Sequence, residues 1–357
     1  MVSSTATAMG AFIFSMVAPQ SQAADVSLPP VSIGAGIQAG YYSCDKSCLY
    51  SPGTTTATNT SVSGFALDSA RLYINGSVTD DIKMTFNTEY NSSTDALIVM
   101  DAFGAFHFSD AFNIWAGRFL PPSDRPNLYG PYYSSDWTPY ADGVADYYPN
   151  VAVGRDNGVA YWGDYGNAKL QVGAFDGESL NSAVSDPKKL LMAARFTWDF
   201  WAKESGYYFG GTSYGGMDIL ALGVAGQSLD SKTTWSIDGL LEKKLPNAGV
   251  VTIETDYNKD NGLTGSRKSD GWFGLAAYMF PQPVGIGKFQ LLGKYSEKSF
   301  DAVTGSASYK VKTSELNLNY IIKAFNARVG LYYLAQKVDV PGSTKPSELG
   351  LKLQLQM

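Results

Sequence analysis

The sequence predicts an all-β fold, a transmembrane antiparallel β-barrel of about sixteen strands, with about fourteen to eighteen compatible and a long loop folded into the lumen. Three observations predict it. The chain ends in a strict alternation, Leu349, Leu351, Leu353 and Leu355 against Gly350, Lys352, Gln354 and Gln356. A period of two puts the leucines on one face of a strand and the polar residues on the other. The same alternation recurs along the chain with almost no helical signal, and its connections tend to run long and short in turn. Bacterial barrels have long outer loops and short periplasmic turns, so this parity predicts orientation as well as fold. A soluble β-sandwich or solenoid would share the alternation but not the export signal, the parity and the roughly ten-residue strands together.

At the N-terminus, Ala11 to Ala18 form a short apolar core, and Ser21-Gln22-Ala23 puts small residues at the −3 and −1 sites of a signal peptide. Residues 1–23 therefore read as an export segment, cleaved before Ala24, and 24–357 as one barrel domain. No Lys or Arg precedes the apolar core, an irregularity that a start upstream of Met1 would remove. No later stretch reaches the roughly 18 apolar residues of a membrane helix. The 357 residues carry no linker, charge block or low-complexity segment that would divide them. Aromatics make up 13%, with 23 Tyr and 37 Gly, which suits interface girdles and tight turns. A net charge of −6 leaves no basic footprint for nucleic acid.

The first strand alternates Val31, Ile33, Ala35, Ile37, Ala39 and Tyr41 with small polar residues. Its Gly34-x-Gly36-x-x-x-Gly40 lies inside a strand with no helix after it, so it is no phosphate loop. Cys44 and Cys48 follow in a polar stretch, and in an exported chain this spacing suggests a small loop-closing disulfide. A metal site would lack ligands, since His107 is the sole histidine. The polar stretch 44–64, the Thr79-Asp80-Asp81 turn, the short connection 91–95, the turn at 109–111 and the very long connection 120–155 set the parity. Later strands fall near 156–165, 167–175, 189–200, 217–228, 233–244, 249–257, 270–280, 287–297, 312–323, 325–338 and 347–356. The Gly/Tyr-rich segment 201–216 is too long for a periplasmic turn, and nothing in the sequence explains it.

Strand parity places Arg71, Lys83, Arg118, Arg195, Lys288, Lys294, Lys323, Arg328 and Lys352 on the lumen side, with Glu89, Asp101, Asp199, Asp238, Glu242, Glu254, Asp256 and Glu315. The signs nearly balance, which argues for weak selectivity. Outward aromatics, among them Trp235, Trp272, Tyr295, Tyr320 and Tyr333, would meet lipid or another subunit. The 120–155 connection is long and full of aromatics, so it reads as a packed functional loop rather than disorder. Asp124, Arg125, Tyr129, Tyr132, Asp136 and Asp142 are its candidate constriction residues, with Arg118 at its base; Asp146 adds to its acidity. Acidic residues outnumber Arg125, which favours cations at the constriction.

Gly117-Arg118-Phe119-Leu120-Pro121-Pro122, after Asp101-Ala102-Phe103, resembles a segment of the phosphate-selective porin O/P-like family, as does Arg195-Phe196-Thr197-Trp198-Asp199-Phe200-Trp201 running on to Asp218–Gly223. The resemblance runs from about Ala70 to Gln227. It implies a trimeric, sixteen-stranded barrel with an inward-folded third outer loop, and Arg118 and Arg125 as the positions most similar to the family's basic pore residues. The acidic long loop, the balanced wall, the pI of about 4.9 and the terminal Met357 depart from that pattern. The expected function is therefore passive diffusion of small hydrophilic solutes or ions across the outer membrane, without a cofactor, with an anion- or phosphate-selective porin as the alternative. A barrel sheath for a partner protein and an outer-membrane hydrolase are further alternatives. Serine hydrolysis needs a base near its nucleophile, and His107 falls beside a strand-end turn.

Overall fold

Period-two patterning requires that one face of every strand leave water, and a closed sheet meets that requirement without an edge. The computed structural model describes residues 30–49, 61–91, 96–145, 154–177, 189–264 and 267–357. The predicted export segment 1–23 and Asp146 lie outside them. The strands are β1 (Val31–Asp45), β2 (Val62–Ser77), β3 (Ile82–Asn91), β4 (Ala96–Ser109), β5 (Phe112–Phe119), β6 (Asp156–Tyr165), β7 (Ala168–Phe175) and β8 (Leu191–Asp199). They continue as β9 (Ile219–Leu229), β10 (Lys232–Lys244), β11 (Val250–Asp260), β12 (Ser269–Met279), β13 (Lys288–Phe300), β14 (Tyr309–Lys323), β15 (Ala327–Val338) and β16 (Ser347–Gln356). Each pairs antiparallel with its sequence neighbours, and β16 closes the barrel on β1, with Gly36 opposite Gln356 and Asp45 opposite Ser347.

Leu349, Leu351 and Leu355 of β16 are exposed on the outside, while Glu348, Lys352 and Gln354 are buried inside. Trp235, Trp272, Tyr295 and Tyr333 are exposed outward, as parity predicted. Register shifts at Gln38/Ala39, Asn87/Thr88, His107/Ser109 and Ile321/Lys323 re-aim the strands locally. Cys44 and Cys48 are bonded, with Cα atoms 5.0 Å apart, at the outer end of β1.

The parity of connections inverts once. The outer connection between β9 and β10 is a two-residue turn, with Asp230 at φ 58°, a conformation Asp tolerates better than most side chains. The periplasmic connection between β8 and β9 is the long one, residues 200–218. The length lost outside reappears inside, because this segment folds up into the barrel. The lumen is consequently packed with chain, and wall residues such as Arg195, Asn319, Arg328 and Gln354 are fully buried.

Candidate functional site

The outer loop leaves β5 at Phe119 and turns into the lumen. Asp124 caps a short helix, α1 (Arg125–Tyr129), accepting from the Asn127 N–H at 2.9 Å, and Pro126 sits in the first turn where no N–H is needed. The loop is then pinned to the wall in sequence. Gln38 of β1 donates to the Pro131 carbonyl (3.2 Å), Gln354 of β16 to that of Tyr132 (2.9 Å), and Arg328 of β15 to that of Ser134 (2.7 Å). Trp137 Nε1 donates to Asn319 of β14 (2.7 Å), and Lys294 of β13 reaches Asp136 and Asp142 at 3.1 and 3.0 Å. Small wall residues make the approach possible. A methyl at Gly330 would lie 1.8 Å from Trp137 Nε1, and one at Gly36 would lie 2.8 Å from the Tyr132 ring.

The segment 200–218 meets this loop from the periplasmic side. Arg125 donates to both carboxylate oxygens of Glu204 (2.9 and 2.5 Å) and to the Gly210 carbonyl (3.0 Å), while the Arg125 N–H donates to Asp238 of β10 (3.1 Å). Arg195 of β8 takes the same Asp238 at 2.7 Å and the Ser123 carbonyl at 3.0 Å. The Phe209 ring lies 4.6 to 4.8 Å from the cationic groups of Lys169, Arg125 and Arg195. Tyr207 donates to the Leu120 carbonyl (2.8 Å), Gln171 of β7 to that of Tyr207 (2.8 Å), and the Gly211 N–H to that of Tyr133 (2.9 Å). Glu242 of β10 accepts from the Ser213 and Gly215 N–H groups at 3.1 and 2.7 Å. Burial pushes the Tyr129 and Tyr207 hydroxyls well above the usual tyrosine range, so both stay protonated.

Against β2–β5 the described residues leave part of the lumen unfilled. A cavity of about 780 Å³ reaches from the periplasmic strand ends, at Ser77, Lys83 and His107, to Tyr129 and Tyr133 of the loop, with Tyr208 and Phe209 along its flank. Its charged lining is Arg71, Lys83, Asp101 and Arg155, beside His107. Arg71 pairs with the buried Glu89, and its guanidinium lies 4.5 Å from the Tyr132 ring. Arg155 pairs with Asp101 at 3.0 Å, and Asn87 donates to the other Asp101 oxygen at 2.9 Å. Lys83 is exposed and has no ion pair among the described residues.

The predicted site residues therefore divide. Arg71, Lys83, Asp101 and Tyr129 line the cavity, and Glu89 and Tyr132 back it. Asp124, Arg125, Asp136, Asp142, Arg195 and Arg328 are buried in contacts between chain segments. Arg118 corrects the reading: it shares the outward face of β5 with Phe112, Ile114 and Ala116, while Asn113, Trp115 and Phe119 are buried inside. Parity within β5 requires this, because Arg118 follows Trp115 by an odd step. The cation preference expected of the loop also loses its basis, since Asp124, Asp136 and Asp142 are buried, Lys294 bridges the last two, and none of the three lines the cavity. Glu204, Tyr207, Tyr208, Phe209 and Arg155 were missed. For the first four, the unexplained length and Gly/Tyr content of 201–216 was the available signal. His107 Nδ1 lies 2.8 Å from Asn113 Oδ1 at the cavity's periplasmic end.

No family model matches the chain, and no curated protein is significantly similar to it. Solved structures match as folds. OprB of Pseudomonas putida is similar with a TM-score of 0.60 at 9% identity, over 92% of this chain and 94% of that one. The outer membrane channel DcaP of Acinetobacter baumannii matches with a TM-score of 0.58 at 14% identity, over 93% and 98% of the two chains. An anion-selective porin from Comamonas acidovorans matches with a TM-score of 0.57 at 14% identity, over 92% and 99%. Such likeness shows the fold, that of an outer-membrane barrel. With its outward belt of Leu, Trp and Tyr, this chain belongs in a bacterial outer membrane.

Proposed function

We propose that this barrel is a porin through which small hydrophilic solutes or ions diffuse passively, along the cavity between β2–β5 and the inward-folded loop. The observation that carries this reading is the asymmetry of the lumen, packed on one side and open on the other. Selectivity then follows from the groups along the open side.

Those groups favour anions. Each carboxylate at the cavity is held by a cation, Glu89 by Arg71 and Asp101 by Arg155, whereas Lys83 is exposed. The test is the reversal potential of purified barrel in a planar bilayer under a KCl gradient. Anion-leaning potential with steady conductance is expected; a cation-selective potential would refute the charge assignment, and no current from folded barrel would refute the open pore. The resemblance to phosphate-selective porins gains nothing from Arg118, which points away from the pore.

Arg118 supports the expected homotrimer instead. On the outward face it pairs across strands with Ala102 and Asn157, next to Gly104 and Ala116. Elsewhere that face carries Leu, Trp, Tyr and Phe. An arginine costs about 2–4 kcal/mol at the lipid midplane, less toward the interfaces, and small residues allow close approach. We place the subunit contact on β4–β6.

A further inference from the structure

The cavity has the composition of a ligand site as well as of a passage. We infer that it retains small monovalent organic anions that carry a flat apolar body, monocarboxylates of the benzoate type, in preference to inorganic phosphate. The inference rests on the diffusion reading for its route, and on the cavity's own geometry for its ligand.

Charge comes first. Phosphate near neutral pH carries between one and two negative charges and many acceptor oxygens, so it calls for several uncommitted cations. Here Arg71 is balanced by Glu89 and Arg155 by Asp101 at 3.0 Å. Lys83 is the lining cation with no ion pair among the described residues, and it is exposed to the cavity. One uncompensated positive charge matches one carboxylate. A cation finds no competing site, because both Asp101 oxygens are engaged, by Arg155 and Asn87.

Aromatic surface comes second. Phe103 and Trp115 line the cavity, stacked with ring centroids 4.4 Å apart. Tyr208 lies 5.6 Å from Trp115, edge to face, and Tyr129 and Tyr133 close the loop side. Trp115 is 8% exposed, and its Nε1 donor has no partner among the described residues. The exposed Tyr133 ring and the half-buried Tyr208 ring, beside the nearly buried edges of Phe103 and Trp115, present apolar surface that a flat apolar body covers and a wholly hydrophilic solute leaves to water. The volume of about 780 Å³ falls within the usual range for small-molecule sites and exceeds what a phosphate ion fills. The site is also composite. Phe103 and Trp115 come from the wall, Tyr129 and Tyr133 from the outer loop, and Tyr208 from the periplasmic segment.

The experiment records single-channel current of the full barrel first without solute, then with benzoate, acetate and inorganic phosphate titrated in. Binding is followed in parallel by tryptophan fluorescence of detergent-solubilised barrel, wild type against Trp115→Phe. Benzoate is expected to lower the current at concentrations where acetate and phosphate do not. It is also expected to quench a fluorescence component that Trp115→Phe removes. Lys83→Gln should raise the half-saturating benzoate concentration about tenfold, the loss of one charge-assisted hydrogen bond, and Lys83→Arg should restore it. Phosphate acting at lower concentration than benzoate would overturn the proposal, as would equal benzoate affinity in Lys83→Gln, or an open channel that benzoate neither blocks nor quenches. Quenching that depends on Trp115 and Lys83 in a barrel that carries no current would uphold the ligand site and refute the diffusion reading.

Discussion

The two halves of the lumen are built from the same kinds of residue and do opposite things with them. Across β7–β16, the inward-folded outer loop meets wall cations directly: the Ser123 carbonyl accepts from Arg195, which also holds Asp238 of the wall, Asp136 and Asp142 pair with Lys294, and the Ser134 carbonyl accepts from Arg328. Against β2–β5, the ion pairs lie within the wall and its immediate flank, and among the described residues Lys83 is exposed and has no ion pair. An inward-facing arginine is thus neither a pore residue nor a structural one by type. Its role depends on whether the lumen in front of it holds protein or water. Buried pairs add little net stability by themselves, but losing one partner strands the other charge. Substitutions in the packed half should therefore cost stability and shape, and those in the open half should change selectivity with little effect on folding.

The largest effect is expected at Arg125, which joins the outer loop to both Glu204 and Asp238. Arg125→Ala should destabilise the barrel by about 3–5 kcal/mol and raise its conductance, read by chemical unfolding and single-channel current. Unchanged conductance would mean that the two inward segments hold position without this clamp. Next is Gly330→Ala, whose methyl has no room beside Trp137. A loss of about 1–3 kcal/mol is expected, with the loop displaced from β15, detectable as increased protease access at residues 134–138. Preventing the Cys44–Cys48 bond with Cys44→Ala closes no large loop, so about 2 kcal/mol in unfolding is expected, with conductance unaltered. Asp124→Ala removes the α1 cap and should cost about 1 kcal/mol. The smallest effect on the pore should come from Arg118→Ala, since that side chain faces outward. Its conductance and reversal potential should match the wild type while oligomers dissociate at lower detergent concentration. A selectivity change in Arg118→Ala would break the comparison at its simplest point.

What could be read from the sequence follows the range of each interaction. Strand number, closure and the outward girdle residues Trp235, Trp272, Tyr295 and Tyr333 rest on period-two patterning and connection length, which are local and repeat many times. Most inward charges, from Arg71 to Lys352, were placed by the same parity. Arg118 was lost on one step of parity in an eight-residue strand, too short for its own alternation to correct the reading. The inward course of the outer loop was legible from its length and aromatics, although its partners were not. Asp136 and Asp142 read as free pore carboxylates until Lys294, over 150 residues away, was placed against them.

The sequence by itself determined the barrel, because every strand repeats the same demand that one face be apolar. The tertiary structure alone decided which lumen charges meet water. That depends on where two long connections, 120–155 and 200–218, come to rest across the barrel. Their meeting point, Arg125 against Glu204, joins residues 79 apart with no shared periodicity. A linear pattern carries no information about such a contact, and the cavity against β2–β5 is what the two connections leave unfilled.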